Sequence, residues 1–127
     1  MKLSRNFTLE ELIHTNTGLP NAPTTEEAAK LTDLVTSLLQ PIRDYWGGVW
    51  VTSGYRSEAV NKKVGGSKTS QHRFGEAADF RPLEADINRV FKWIIHDSGL
   101  KYGQVIRESV DGAEWIHISL PRKGKPN

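Results

Sequence analysis

The stretch that decides the fold runs Gly103-Gln104-Val105-Ile106-Arg107-Glu108, then Ser109-Val110-Asp111-Gly112-Ala113-Glu114, then Trp115-Ile116-His117-Ile118-Ser119-Leu120. Its two ends are rich in β-branched and aromatic residues, which suit a pleated, half-buried surface. Asp111-Gly112 between them is a hairpin signal, because both residues tolerate the positive φ that a two-residue turn needs. The spacing predicts antiparallel strands over 103–108 and 115–120.

Working outward, Asp86 opens a predicted helix whose Ile87, Val90, Phe91, Ile94 and Ile95 form one stripe, with Gly99 as its stop. Residues 77–81 and 49–53 read as strands, and Ser57 caps a short helix through about residue 64. Gly65-Gly66-Ser67-Lys68-Thr69-Ser70 is a loop by composition. Further upstream, Leu31, Leu34, Val35, Leu38, Leu39 and Ile42 recur at helical spacing after the Thr24/Glu27 capping box. Pro41 should kink that helix or end its regular part, and Gly47-Gly48 close it. Thr8 with Glu11 opens a short helix through about His14, and the turn-rich stretch 16–23 follows it. Helices lead and a late hairpin follows, so the fold class is α+β, a central antiparallel sheet with helices packed on it. The 127 residues fit one domain, 1–127, with a short basic tail at 121–127 carrying Arg122, Lys123 and Lys125.

Cysteine is absent, which removes disulfides, thiolate metal sites and cysteine nucleophiles together. Any metal site must come from His, Asp or Glu. A formal charge of +2 is weak, and the basic residues carry no interleaved aromatics, so nucleic acid is not an expected partner. No segment approaches the roughly 20 apolar residues of a membrane span, and Met1 to Leu12 lacks the apolar core of a secretory signal. The expectation is a monomer made in the cytoplasm without a signal peptide.

Three segments carry chemistry. In Ser70-Gln71-His72-Arg73-Phe74-Gly75-Glu76-Ala77-Ala78-Asp79, a His and an Asp straddle a Gly that permits a sharp bend. Alone, the two residues read more readily as a hydrogen-bonded structural pair than as ligands. Glu114-Trp115-Ile116-His117 adds a second imidazole and a carboxylate. Two His and one carboxylate make a catalytic zinc set that leaves a position for water, and Glu114 is then the expected general base. Side chains three apart on a regular strand point to opposite faces, so Glu114 must lie in the turn or at a bulge to join His117. Otherwise it is a solvated turn residue. In Ser53-Gly54-Tyr55-Arg56-Ser57, an Arg just past a strand end is placed to meet a carboxylate or oxyanion, or to form a surface ion pair.

These residues resemble the zinc D-Ala-D-Ala carboxypeptidases and dipeptidases over about residues 5–120. Ser70, His72, Gly75, Ala77 and Asp79 match S-x-H-x-x-G-x-A-x-D, Glu114 and His117 match E-x-x-H, and Ser53-Gly54-Tyr55-Arg56 matches as well. The resemblance implies one zinc ion on His72, Asp79 and His117, with Glu114 as base and Arg56 on the oxyanion or substrate. It puts Ser70, Gln71 and Tyr55 at the substrate and Gln104 on a site-lining strand. It further implies hydrolysis of peptide bonds in peptidoglycan stem peptides, at the D-Ala-D-Ala terminus or an L-Ala-D-Glu or other internal link. Small phage endolysins of this group are similar, which suggests a lysin released through a holin. The alternative is a wall-binding module that keeps the fold without cutting.

Overall fold

The computed structural model describes residues 1–122; Lys123 and Lys125 of the basic tail lie outside them. A small hairpin, β1 (Lys2–Ser4) with β2 (Phe7–Thr8), leads into α1 (Leu9–Leu12). This hairpin was not expected, because strands of two and three residues leave no periodic signal. Then follow α2 (Thr25–Leu34), a π-helical turn (Val35–Leu39), α3 (Gln40–Trp46), β3 (Val49–Ser53) and α4 (Glu58–Lys63). A 3-10 turn (Gln71–Phe74), β4 (Ala77–Pro82), α5 (Ile87–His96), β5 (Val105–Val110) and β6 (Ala113–Ser119) complete the chain. The last four strands form one antiparallel sheet in the order β3-β4-β6-β5. The class is α+β, as the hairpin and the helical stripes predict.

Local chemistry sets the helix ends. Thr8 and Thr24 each close a capping box with Glu11 and Glu27, and Ser57 and Asp86 accept from the first turns of α4 and α5. Pro41 has no N–H to donate back along the helix, and the chain widens into the π turn just before it. The α5 stripe is narrower than its sequence suggests: Val90 and Ile94 are buried, whereas Ile95 is exposed.

The core lies between one face of the sheet and the helices. Val49, Val51, Ala78, Phe80, Ile116 and Ile118 point into it from the strands, and Leu31, Leu34, Leu38, Ile42, Val90 and Ile94 meet them from α2, the π turn, α3 and α5. Each of these side chains except Ala78, which has a single methyl, contributes about 1.5–3 kcal/mol by leaving water. Alternation then sends Asp79, Trp115 and His117 to the other face.

The hairpin corrects one boundary. Asp111 (φ 49) and Gly112 (φ 85) form a two-residue turn, and the β5–β6 register runs without a break from Val110↔Ala113 to Val105↔Ile118. Residues 109, 110, 113 and 114, expected outside the strands, are therefore paired within them.

Gly54 follows β3 and lies against the backbone of Leu12, whose carbonyl accepts the Tyr55 N–H at 2.7 Å. A Cβ at Gly54 would run into that carbonyl, which cannot swing away as a side chain would. Gly54→Ala should therefore cost about 1–3 kcal/mol, read as a lower midpoint in thermal unfolding. An unchanged midpoint would show that α1 does not seat against the end of β3.

Candidate metal centre

The β4–β6 ladder sets Asp79 directly opposite His117. Both side chains stand on the sheet face away from the core, and the His117 Nδ1 lies 2.9 Å from Asp79 Oδ1. His72 comes from outside the sheet. Ser70 starts the 3-10 turn, its Oγ accepting the His72 N–H at 3.3 Å, and Gly75 ends it at φ 76. Gly75 is needed twice over, since a Cβ there would also sit 2.6 Å from the Glu27 carbonyl oxygen. The Arg56 N–H donates to the His72 carbonyl at 2.9 Å, which fixes the turn against the end of β3. The result brings His72 Nε2 to 3.2 Å from Asp79 Oδ1.

Among the described residues, His72, Asp79 and His117 form the group whose ligand atoms all lie within 4.8 Å of one another. The donor set fits a divalent cation, and one contact supports that fit directly. His72 Nδ1 lies 2.8 Å from the Gly54 carbonyl oxygen, which can only accept. The ring proton therefore belongs on Nδ1, and the Nε2 lone pair of the neutral ring faces a carboxylate oxygen. Two lone pairs do not share such a contact without a positive charge between them, supplied by a second ring proton or by a metal ion. A carbonyl that holds the other ring nitrogen is the usual second support of a ligating histidine.

The electrostatics agree. Burial pushes the Asp79 carboxyl up, but the bonds from His117 and His72 outweigh it and hold the group well below the usual carboxylate range. Arg56 stands beside it, Nη2 at 3.7 Å from Asp79 Oδ2 and Nε donating to Ser53 Oγ at 3.2 Å. Burial lowers the Arg56 pKa, and the charges of Asp79 and Glu108 work against that shift. His72, Asp79, His117 and Arg56 all line a cavity of about 520 Å³, together with Ser70, Gln71, Gln104, Glu108, Trp115 and Arg122.

Two expected site residues are placed elsewhere. Glu114 lies in the unbroken part of β6, three positions from His117 and hence on the opposite face, where it is ion-paired with Arg107. It does not line the cavity. The carboxylate that does, besides Asp79, is Glu108, paired in register with Trp115 on the face that carries His117. Counting by twos from His117 to Trp115 and across the ladder would have found it, had the strand ends been known. Tyr55, expected at the substrate, is only 3% exposed. Burial, the bond to the Glu27 carboxylate and that carboxylate's charge raise its hydroxyl to about 12. It is a core residue that ties the end of β3 to α2. Ser70 and Gln71 do line the cavity, and the Gln71 amide also clamps the chain end by donating to the Leu120 carbonyl at 2.8 Å. Gln104 lies in the cavity wall as well. Arg122 was read only as part of a basic tail.

No helix among the described residues is long and apolar enough to cross a membrane. The family model described as Peptidase M15 matches residues 5–119. The chain is also similar to the zinc D-Ala-D-Ala carboxypeptidase of Streptomyces albus G, 36% identical over 77 residues, which covers 58% of this chain and 30% of that relative. The chain therefore aligns with less than a third of that protein's length.

The depressed Asp79 carboxyl has a consequence for the metal-free protein. A group held low in the folded state stabilises it fully above about pH 3.9, where an unfolded Asp titrates, and loses that effect as the pH falls further. In chelator, Asp79→Asn should lower the unfolding free energy near neutral pH, and its deficit against wild type should shrink below about pH 4. Urea unfolding across that range is the measurement, and a deficit that stays constant would mean the two imidazoles do not hold the carboxylate.

Proposed function

The chain belongs to the peptidase M15 family, and from that premise we propose that it is a zinc-dependent peptidase cleaving peptide bonds in the stem peptides of bacterial peptidoglycan. The observation that carries the reading is the convergence of His72 Nε2, Asp79 Oδ1 and His117 Nδ1 on one face of the sheet beside a guanidinium. In this reading those three residues hold one ion. Zinc, when bound, lowers the pKa of a coordinated water to about 7 and so makes a nucleophile available near neutral pH.

The remaining work falls to the chain's own side chains. A carboxylate must take the proton from the attacking water and deliver it to the leaving amine. Glu108, not Glu114, is the residue for that task, since it faces the cavity within the electrostatic reach of Arg56. Arg56 is half-buried, pinned through Nε and charged, which suits it to the oxygen that gains negative charge at the scissile carbonyl. The Gly54 carbonyl keeps the His72 ring in the tautomer that presents Nε2 to the ion. The relative's name points to the D-Ala-D-Ala bond, and that terminus is the first substrate to try, followed by internal links.

The test is release of new amino groups from purified peptidoglycan by the zinc-loaded protein. Glu108→Gln should reduce the rate by about 10²–10⁴ while zinc, measured by atomic absorption, stays bound. Glu114→Gln should cleave at close to the wild-type rate. His117→Ala should lose both metal and activity. If Glu114→Gln were the inactive variant and Glu108→Gln the active one, the assignment of the base would be reversed. If no wall type released amino groups, the protein would instead be a module that binds the wall.

A further inference from the structure

Arg122 follows the last strand and lines the same cavity as Arg56. The segment after β6 is held there by the Leu120 N–H, which donates to the Glu76 carbonyl at 2.9 Å, and by the Gln71 amide on the Leu120 carbonyl. Glu76, which holds the Arg122 guanidinium, precedes β4 and lies three residues before Asp79, about 10 Å of strand. Its guanidinium is fixed in two ways. Nε donates to Glu76 Oε1 at 3.1 Å, and the group lies 5.5 Å over the Phe74 ring. The side chain is 19% exposed. Pinning through Nε leaves both terminal nitrogens, among the described residues, for a bidentate partner facing the cavity that Arg122 lines.

The charges favour an anion at that place. Asp79 and Glu108 face the cavity and are matched by Arg56 and Arg122. A divalent ion on the His–Asp–His group then makes the cavity positive overall, which draws and holds a negative ligand. Glu76 does not cancel Arg122 outright, because Lys30 also approaches it, at 3.9 Å.

We infer that Arg122 is a specificity residue that reads a free carboxylate on the substrate, set about three residues' length along the cleft from the scissile carbonyl. The preferred substrate is therefore an acidic peptide, and a peptide with a carboxamide at that position is a poor one. The inference rests on the peptidase reading and sharpens it by naming the chemistry of the group beside the bond.

The experiment compares two synthetic stem peptides that differ only in whether their acidic residue carries a free carboxylate or a carboxamide. Binding to the zinc-loaded Glu108→Gln protein is measured by calorimetry, and hydrolysis by the wild type is measured in parallel. One charge-assisted bidentate contact corresponds to about a tenfold to hundredfold preference for the free carboxylate. Arg122→Gln should erase that preference by weakening the acidic peptide alone, seen as a rise in Kd and in KM, and Arg122→Lys should retain part of it. Equal affinity of the two peptides, or a preference that survives Arg122→Gln in a variant with wild-type thermal stability, overturns the inference. Hydrolysis of both peptides with equal efficiency would do so while leaving the peptidase reading intact. Discriminating binding without any hydrolysis would keep Arg122 as the reader and remove the peptidase.

Discussion

The pairing of β4 with β6 in the register that sets Asp79 against His117 is the constraint on which the molecule depends. The same ladder places Ala78 opposite Ile118 and Phe80 opposite Ile116, and those four residues are fully buried. A slip of one residue would turn every side chain of a strand to the other face. Ile116 and Ile118 would move into water, and His117 would move into the core. The hydrophobic core thus enforces the alignment of the candidate ligands. Two of the three are positioned by the fold's largest stabilising term, and their geometry needs no loop to find it.

The third ligand is secured by a different route. His72 sits on a short 3-10 turn, an element with little stability of its own. Its position is determined by what surrounds it. Gly54 supplies a carbonyl to the ring, Arg56 supplies an N–H to the backbone, and Arg73 on the same turn binds Glu27 at 2.7 Å. Glu27 also completes the capping box of α2 and receives the Tyr55 hydroxyl. One carboxylate therefore links the first turn of α2, the end of β3 and the His72 turn. Its lowered pKa, the sum of those bonds set against burial, keeps it charged in all three roles. Tyr55 belongs to this support and not to the substrate side, which explains why an aromatic residue beside Arg56 is so deeply enclosed.

Much of this was legible in the amino acids because it rests on short-range chemistry. The capping boxes at Thr8 and Thr24, the Asp111-Gly112 turn and the helical stripe from Leu31 to Ile42 each follow from a few neighbouring residues. The convergence of His72, Asp79 and His117 was legible through their residue types and through resemblance to a known family. What the sequence concealed was where strands end. Taking the loop of the last hairpin as six residues, from Ser109 to Glu114, left Glu114 free to bend toward His117. The two-residue turn pairs it instead, and pairing decides its face. Arg122 was hidden for a related reason: its value depends on Glu76, Phe74 and Gln71, which are some fifty positions away along the chain.

The contrast between Glu108 and Glu114 shows how little separates a carboxylate inside the cavity from one outside it. Both lie on the same hairpin, one rung apart, Glu108 against Trp115 and Glu114 against Ser109. Alternation sends Glu114 to the helix side, at the sheet's end, where it is 41% exposed and meets Arg107. An exposed pair of that kind contributes at most about 1 kcal/mol and leaves the carboxylate solvated. Glu108 is sent to the other side, into a cavity shared with the half-buried Arg56 guanidinium and the candidate ligands. There half-burial displaces part of the water, and each charge acts more strongly on its neighbours than on the open surface. Residue type is the same at both positions; strand parity alone assigns one glutamate to the helix side of the sheet and the other to the cavity beside the candidate ligands.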